Sequence, residues 1–468
     1  MPEQNRRATV IALIVASAYF MENLDATVIA TALPHMAQTF GVTAVSLSIG
    51  MTAYLLALAV FIPISGWVAD RFGSRTVFGA AIVVFTVASL LCGLSNGLWE
   101  FTVARVLQGM GGAMMVPVGR LVVLRSTEKR NLMRSIAYIT WPGLAAPVIG
   151  PAVGGFITTY FNWRWIFLLN VPIGIAGIAL TAIFIGNHRE PGRRPFDAIG
   201  FVLSGIALTC LMYGMELLGQ RDADGRITAA ILLGGAVVGA AAVVYLLRAT
   251  HPLINLSSLR IPTFRATLGG GSLYVVSVSV SPFVLPLFFQ IGFGLNAFAA
   301  GLLVLAYAAG NLGMKTITTP ILRNFGFRNV MIFNGLLTAV TIAACAWLGT
   351  QTPRALIVLV LFIGGLCRSM QFTSITTLGL ADIPAPQMSA ASTLSSVIQQ
   401  MTMGMGIAFG ALCLRVGAAI EGNVTGTPSV TDFRIAFGFV AAVALAALFD
   451  VRKLAPNAGA EVSGHGRA

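Results

Sequence analysis

The chain alternates long apolar runs with short polar loops. A helix needs about 20 apolar residues to cross the hydrocarbon core of a bilayer, because each residue advances the helix axis by about 1.5 Å. Runs of this length recur from one end of the sequence to the other. They predict fourteen membrane-spanning helices near residues 8–33, 46–68, 76–96, 100–123, 135–160, 165–186, 197–217, 227–247, 266–290, 298–320, 329–348, 355–379, 390–415 and 434–450.

Composition supports an all-α integral membrane protein. Of the 468 residues, 57% are hydrophobic and 10% are charged, whereas a soluble domain carries about 25% charged residues. The net charge of +13 would suggest nucleic acid in a soluble protein. Here the basic residues lie in loops between apolar runs and form no basic stripe with interleaved aromatics, so nucleic acid is not expected as a partner.

The distribution of Lys and Arg predicts the orientation. Basic residues concentrate in alternate loops, and such loops face the cytoplasm. The loops predicted to be cytoplasmic contain Arg71, Arg75, Arg125, Lys129, Arg130, Arg134, Arg189, Arg193, Arg194, Arg248, Arg260, Arg265, Arg323 and Arg328. The opposite loops contain Arg164, Arg221, Arg226 and Arg354, and Arg415 and Arg434 lie at helix ends on the same side. An even number of spans then places both termini in the cytoplasm, and we expect a bacterial inner membrane protein.

An internal repeat divides the chain. The segment Asp70–Val77 and the segment Arg323–Val330 share Phe, Gly, Arg and Val at a constant offset, and each joins two predicted spans. Parallel duplication of six-helix halves is a known transporter architecture. The sequence therefore predicts four regions, listed by residue number: a first half at 1–187, two inserted linker helices at 188–260, a second half at 261–456 and a disordered cytoplasmic tail at 457–468.

Four short motifs lie in or between the predicted spans. They are LDATVIATALP (Leu24–Pro34), GWVADRFGSR (Gly66–Arg75), RVLQGMGG (Arg105–Gly112) and GLAAPVIGPAVGG (Gly143–Gly155). Together they resemble the signatures of the major facilitator superfamily, specifically its fourteen-helix drug:proton antiporter branch. The resemblance covers nearly the whole chain. It implies two six-helix halves with two inserted helices, and export of small hydrophobic or cationic compounds in exchange for protons by alternating access.

Two acids lie inside the first predicted span. Glu22 and Asp25 are three residues apart and thus on nearly the same helix face, and an ionised carboxylate at such depth costs about 3 kcal/mol or more. An acid in this position can take up a proton from one side and release it to the other, and we expect Asp25 to do so, with Glu22 sharing the proton and Arg105 completing the proton-coupling set. The alternative is an acid satisfied permanently by one partner. The branch signature contains the position of Asp25 but does not require Glu22.

Further polar residues lie at membrane depth. Arg105 is at nearly the depth of Asp25, so the two can pair if spans one and four are neighbours, as the superfamily fold implies. We expect the following residues to line a cavity: Gln108, Arg368, Gln399 and Gln400. Glu216 and Lys315 lie nearer to span ends, where a side chain that extends to the interface is the simpler interpretation.

Two motifs are expected to control conformation. The resemblance implies that a cytoplasmic gating loop stabilises the outward-facing state, with Gly66, Asp70, Arg71, Gly73 and Arg75 as its residues. Ser74 departs from the basic residue usual in the family. The same resemblance implies that an antiporter helix packs tightly and prevents proton leak, with Gly150, Pro151, Gly154 and Gly155 as its core.

The sequence predicts no enzyme. No nucleophile–base set, phosphate-binding loop or metal-ligand cluster is present, and the five cysteines are scattered singly. We expect no cofactor and no metal, and small-molecule cargo, protons and lipid as partners of a monomer. A partner in envelope export is left open. The alternative functions are an uptake symporter for a small metabolite and a non-transporting membrane sensor. Cargo identity and proton stoichiometry do not follow from the residues.

Overall fold

The computed structural model describes residues 2–127, 132–187, 195–220, 223–384, 387–423, 427–455, 458–459 and 462. In these residues, 13 continuous helices are long and apolar enough to cross a membrane. One of them, Ala297–Trp347, has 51 residues and is interrupted at Gly326, whose φ of 72° and ψ of 160° are not helical. When its two parts are counted separately, the described residues contain fourteen candidate spans, which is the number that the sequence predicts.

Three groups of helices follow one another along the chain. The first half contains α1 (Pro2–Phe40), α2 (Ser48–Phe61), α3 (Ser65–Phe72), α4 (Ser74–Leu94), α5 (Leu98–Ser126), α6 (Leu132–Tyr160), α7 (Trp165–Leu168) and α8 (Asn170–Phe184). The inserted pair contains α9 (Ala198–Gly219) and α10 (Gly225–Arg248). The second half contains α11 (Pro262–Ser279), α12 (Ser281–Leu287), α13 (Ala297–Trp347), α14 (Arg354–Ala381), α15 (Met388–Glu421), α16 (Val430–Ala446) and α17 (Leu448–Val451).

Short irregular turns join some helices into one span. The 3₁₀ turn Ile62–Ile64 connects α2 to α3, and the π-turn Phe288–Gly292 extends α12. The predicted boundary at 188 lies outside the described residues, as does most of the predicted tail at 457–468. We call the end of the bundle near the N-terminus the proximal end, and the end with the turn between α1 and α2 the distal end.

The two halves meet along α1, α2 and α6. Helix α1 packs against α5, α6 and α8 of its own half and against α12 and α13 of the second half, while α6 packs on α13 and α2 on α15. Two hydrogen bonds join the halves near the distal end. Gln290 Nε2 donates to the Thr31 carbonyl at 3.0 Å, and the Phe298 amide donates to Thr159 Oγ1 at 3.0 Å. The halves are therefore in contact at the distal end.

The inserted pair lies beside this junction. Helix α9 packs against α2, α10 and α15, so it contacts both halves. The outer face of α10 carries large apolar side chains that protein does not cover, such as Leu233, which is 67% exposed, and Val237, which is 69% exposed. Such a surface is stable against lipid and not against water.

The repeated loops share one backbone feature. Gly73 has a φ of 94°, and its counterpart Gly326 has a φ of 72°. Side chains with a Cβ rarely adopt this conformation, so both turns require glycine. The repeat that the sequence indicates thus extends to the backbone geometry at the same position of each half.

We predict that Gly326→Ala lowers the midpoint of thermal unfolding in detergent, because strain in this backbone region costs about 1–3 kcal/mol. Gly313→Ala is the matched control. Gly313 lies in a helical part of α13 where an added Cβ meets no atom within 4 Å, so alanine there should leave the midpoint unchanged or raise it. Equal midpoints for the two variants would contradict the assignment of Gly326 as a required turn glycine.

Candidate functional site

Asp25 lies at the centre of a buried polar network. Arg105 Nη1 donates to its Oδ2 at 2.6 Å, and both side chains are only 1% exposed. The other oxygen, Oδ1, accepts from Gln108 Nε2 at 2.8 Å and from Asn170 Nδ2 at 3.0 Å. These donors come from α5 and α8, so the carboxylate joins three helices of the first half. Both of its oxygens are occupied.

The guanidinium of Arg105 has further contacts. It donates to Gln108 Oε1 at 2.6 Å and to the Gly50 carbonyl at 3.4 Å. The ring of Tyr54 lies on its face, with 4.2 Å from the Arg105 Cζ to the ring centroid. A buried ion pair is stable only when hydrogen bonds satisfy its remaining donors and acceptors. The network meets that condition, and it fixes α2 and α5 against α1.

Glu22 lies one helical turn before Asp25 and differs from it in its contacts. Glu22 is 8% exposed. Its Oε2 has no hydrogen-bond partner in the described part of the chain, and neither has the hydroxyl of Tyr54. Both groups border Gly112, where an added Cβ would lie 3.4 Å from Glu22 Oε1 and 3.2 Å from the tyrosine hydroxyl. A buried acid with unused hydrogen-bonding capacity therefore lies beside a fully paired one.

The sequence did not identify three members of this network, which are Tyr54, Ser89 and Asn170. Asn170 Nδ2 lies 3.0 Å from Ser89 Oγ as well as from Asp25, which links α4 and α8 to the site. The available signal was one amide in the apolar run of the sixth predicted span. Serine is too common in membrane helices to single out Ser89 without the fold.

The residues expected to line a cavity are dispersed. Gln108 is fully buried in the Asp25 network, where its amide bonds both Asp25 and Arg105, and a role for it in lining a cavity stays a prediction. In the second half, Arg368 is half-buried with its Cζ 5.8 Å from the Tyr307 ring centroid. Gln399 and Gln400 are half-buried on α15, and Gln399 borders a cavity of about 40 Å³.

The interpretation of Glu216 as an interfacial side chain is also wrong. Its residue is 1% exposed, and its carboxylate accepts hydrogen bonds from the hydroxyls of Ser48 and Thr52. Depth along a single helix suggested the interface, but α9 packs against α2 there and covers the side chain. Lys315 is exposed and donates to Thr373 Oγ1 at 3.0 Å.

The predicted gating loop lies at the proximal end. Asp70 pairs with Arg125 at 3.3 Å, which joins α3 to α5 in the same half. The Arg71 Cζ lies 5.5 Å from the Trp67 ring centroid, and Arg75 is exposed. Gly66 lies inside α3 with no atom within 4 Å of an added Cβ. Unlike Gly73, it is not required by a turn in this structure.

The predicted antiporter helix is α6, and its glycines lie at two helix contacts. A Cβ at Gly150 would collide with the Thr27 side chain of α1, and one at Gly154 would collide with the Val28 carbonyl of the same helix. A Cβ at Gly155 would collide with the Ala297 carbonyl of α13. A Cβ at Gly301 of α13 would likewise collide with the Pro151 carbonyl of α6. Small residues thus allow α6 to pack between α1 and the second half.

Comparison with known proteins agrees with this arrangement. A sequence profile of the Major Facilitator Superfamily matches residues 15–411. The chain belongs to the major facilitator superfamily. It is 39% identical over 408 residues to a protein of Salmonella heidelberg (strain SL476) named as a candidate multidrug resistance protein, MdtD, and the match covers 86% of this chain and 85% of that protein.

Solved structures show the same fold. An auto-inhibited peptide transporter of the POT family has a TM-score of 0.70 at 16% identity, over 96% of this chain and 97% of that one. A D-xylose–proton symporter has a TM-score of 0.66 at 14% identity, over 96% and 98%. The protein is therefore a multi-pass membrane transporter of the superfamily and not an enzyme.

We predict that Arg105→Met lowers the thermal unfolding midpoint far more than Arg75→Met, because it leaves a buried carboxylate without its counter-charge, at a cost of about 3–5 kcal/mol. Replacement of an exposed arginine normally changes stability by about 0.5 kcal/mol or less. Adding Asp25→Asn to Arg105→Met should restore part of the loss. Strictly additive effects of the two substitutions would argue against an energetically coupled pair.

We also predict that Gly154→Leu abolishes transport, because the side chain cannot fit between α6 and α1. A smaller probe is Gly154→Ala, compared with Gly143→Ala on the same helix, where the nearest atom to an added Cβ lies at 3.7 Å. Folded yield and transport rate should fall for the first variant and remain near wild type for the second. Normal transport by Gly154→Leu would refute a close helix contact.

Proposed function

We propose that the protein exports small hydrophobic or cationic compounds in exchange for protons, and that Glu22 exchanges the proton beside the Asp25–Arg105 pair. The observation that carries this proposal is the contrast between two acids one helical turn apart. Asp25 is held by three donors, whereas Glu22 Oε2 has no partner among the described residues. An acid that alternates between proton and cargo needs free coordination, and Glu22 has it.

The remaining features fit a cycle of alternating access. An ionised carboxylate without a partner is costly in a membrane interior, and binding a proton or a cationic compound removes that cost. Only one of the two can occupy Glu22 at a time, so cargo release and proton uptake are coupled. In this cycle the contact between Arg105 and Asp25 keeps the network intact while the halves move as units.

The basic loops support an orientation. With the proximal end in the cytoplasm, as the distribution of Lys and Arg predicts, both termini are cytoplasmic and the membrane is the bacterial inner membrane. The contact between the halves at the distal end then closes the outer side. The name of the Salmonella relative supports drug-type cargo. We propose that the chain acts as a monomer, since all elements of the site lie within one chain.

We predict that Glu22→Gln abolishes pH-driven export. In inverted membrane vesicles with an acidic interior, the wild type should accumulate a fluorescent organic cation such as ethidium. Glu22→Gln should not accumulate it, although it should still let ethidium equilibrate down its own gradient, because the exchanging acid is lost while the cargo path remains. Asp25→Asn should reduce accumulation through loss of the network.

Glu100→Gln is the matched control, because Glu100 is an exposed acid of α5 outside the network. It should accumulate ethidium as the wild type does. Full accumulation by Glu22→Gln would contradict the role of Glu22. Accumulation only in vesicles of the opposite orientation would indicate an uptake symporter, and no movement of any compound by the wild type would indicate a non-transporting protein.

A further inference from the structure

A cavity opens at the distal end between α2, α9 and α15. Its volume is about 450 Å³, within the range of about 300–1,000 Å³ typical of sites for drug-sized ligands. Apolar side chains form part of its wall, among them Val42, Leu98 and Leu414. Polar groups form the rest, among them Ser46, Gln220 and Asn423. A mixed lining of this kind suits an amphiphilic molecule.

One deeply buried acidic side chain lies on the described wall of the cavity. Glu216 lines it and is 1% exposed. Its two hydrogen-bond donors, Ser48 and Thr52, are neutral hydroxyls, and it forms no ion pair within the described ranges of the chain. Hydroxyl donors orient a carboxylate without neutralising its charge. A buried charge without a counter-charge is costly, so a cation at this position would gain a preformed, uncompensated partner.

The only positively charged side chain on the described wall donates a hydrogen bond to a backbone carbonyl and forms no ion pair with Glu216. Arg415 of α15 is half-buried, and its Nη1 donates to the Leu218 carbonyl of α9 at 2.7 Å. This contact ties α9 to the second half, while Glu216 ties α9 to α2 of the first half. The inserted helix α9 thus contacts both halves at the distal end. The cavity lies between these two contacts.

We propose that this distal cavity is a second binding site for lipophilic organic cations, with Glu216 of the inserted helix as its counter-charge. The proposal deepens the proposed export function and rests on it for the class of compound. A cation that leaves Glu22 toward the distal end reaches a second carboxylate, located where the halves and α9 must separate. The inserted pair then supplies part of the cargo path.

The test uses the full chain in lipid nanodiscs and equilibrium dialysis with tetraphenylphosphonium. In a Glu22→Gln background, which removes the exchanging acid of the other site and leaves the Asp25–Arg105 pair intact, tetraphenylphosphonium binding should persist. Adding Glu216→Gln should weaken that binding about tenfold or more, as expected for loss of one charge-assisted contact. Adding Glu100→Gln, which removes a distal charge outside the cavity, should leave it unchanged. Tetraphenylborate, a probe of matched shape and opposite charge, should not bind in a Glu216-dependent manner.

A second variant tests the cavity without a change in the Glu216 side chain. Ala418→Phe keeps Glu216 and fills part of the cavity, so it should also abolish the persistent binding. Unchanged affinity in both Glu216→Gln and Ala418→Phe would overturn the proposal, even if export by the wild type is intact. Glu216-dependent binding in a wild type that does not export would instead uphold the distal site and refute the proposed function.

Discussion

The ion pair between Asp25 and Arg105 is the interaction on which the first half depends. A carboxylate and a guanidinium, each 1% exposed, are placed at membrane depth, where removal of either partner leaves an unpaired charge. Three further groups complete the coordination: the amides of Gln108 and Asn170 and the ring of Tyr54. Because these groups come from α1, α2, α5 and α8, the pair specifies how four helices pack where apolar contacts alone would allow many arrangements.

The need to compensate every buried carboxylate distinguishes Glu22 from the other buried acids. Lipid offers no solvation to a carboxylate, so each buried acid must be paired, protonated or bound to a cation. Asp25 is paired. Glu216 is held by two hydroxyls at the distal end, where α9 joins both halves. Glu22 borders Gly112 and has an oxygen without a hydrogen-bond partner among the described residues, which is why we propose Glu22 as the acid of α1 that exchanges ligands while the ion pair stays intact.

Much of the fold follows from the sequence, because helix length and loop charge are local properties. Apolar runs locate the spans, and the turn glycines Gly73 and Gly326 mark the repeat. The glycines of α6 likewise indicate close packing, although the sequence does not say that Gly154 approaches α1 and Gly155 approaches α13. That assignment depends on which helices are neighbours, which is a property of the whole bundle.

The wrong interpretation of Glu216 has the same origin. Depth along one helix suggested that its side chain extends to an interface, but burial depends on the helix that packs opposite, which for Glu216 is α2. Asn170 was missed because its partner lies 145 positions away in the chain, beyond any local pattern.

Proton release on cargo binding tests the central claim most directly. Purified protein in weakly buffered detergent, mixed with tetraphenylphosphonium in the presence of a pH indicator, should acidify the solution if the cation displaces a proton from Glu22. We predict acidification by the wild type and by Glu216→Gln, and none by Glu22→Gln. Equal proton release from Glu22→Gln and the wild type would contradict the central claim.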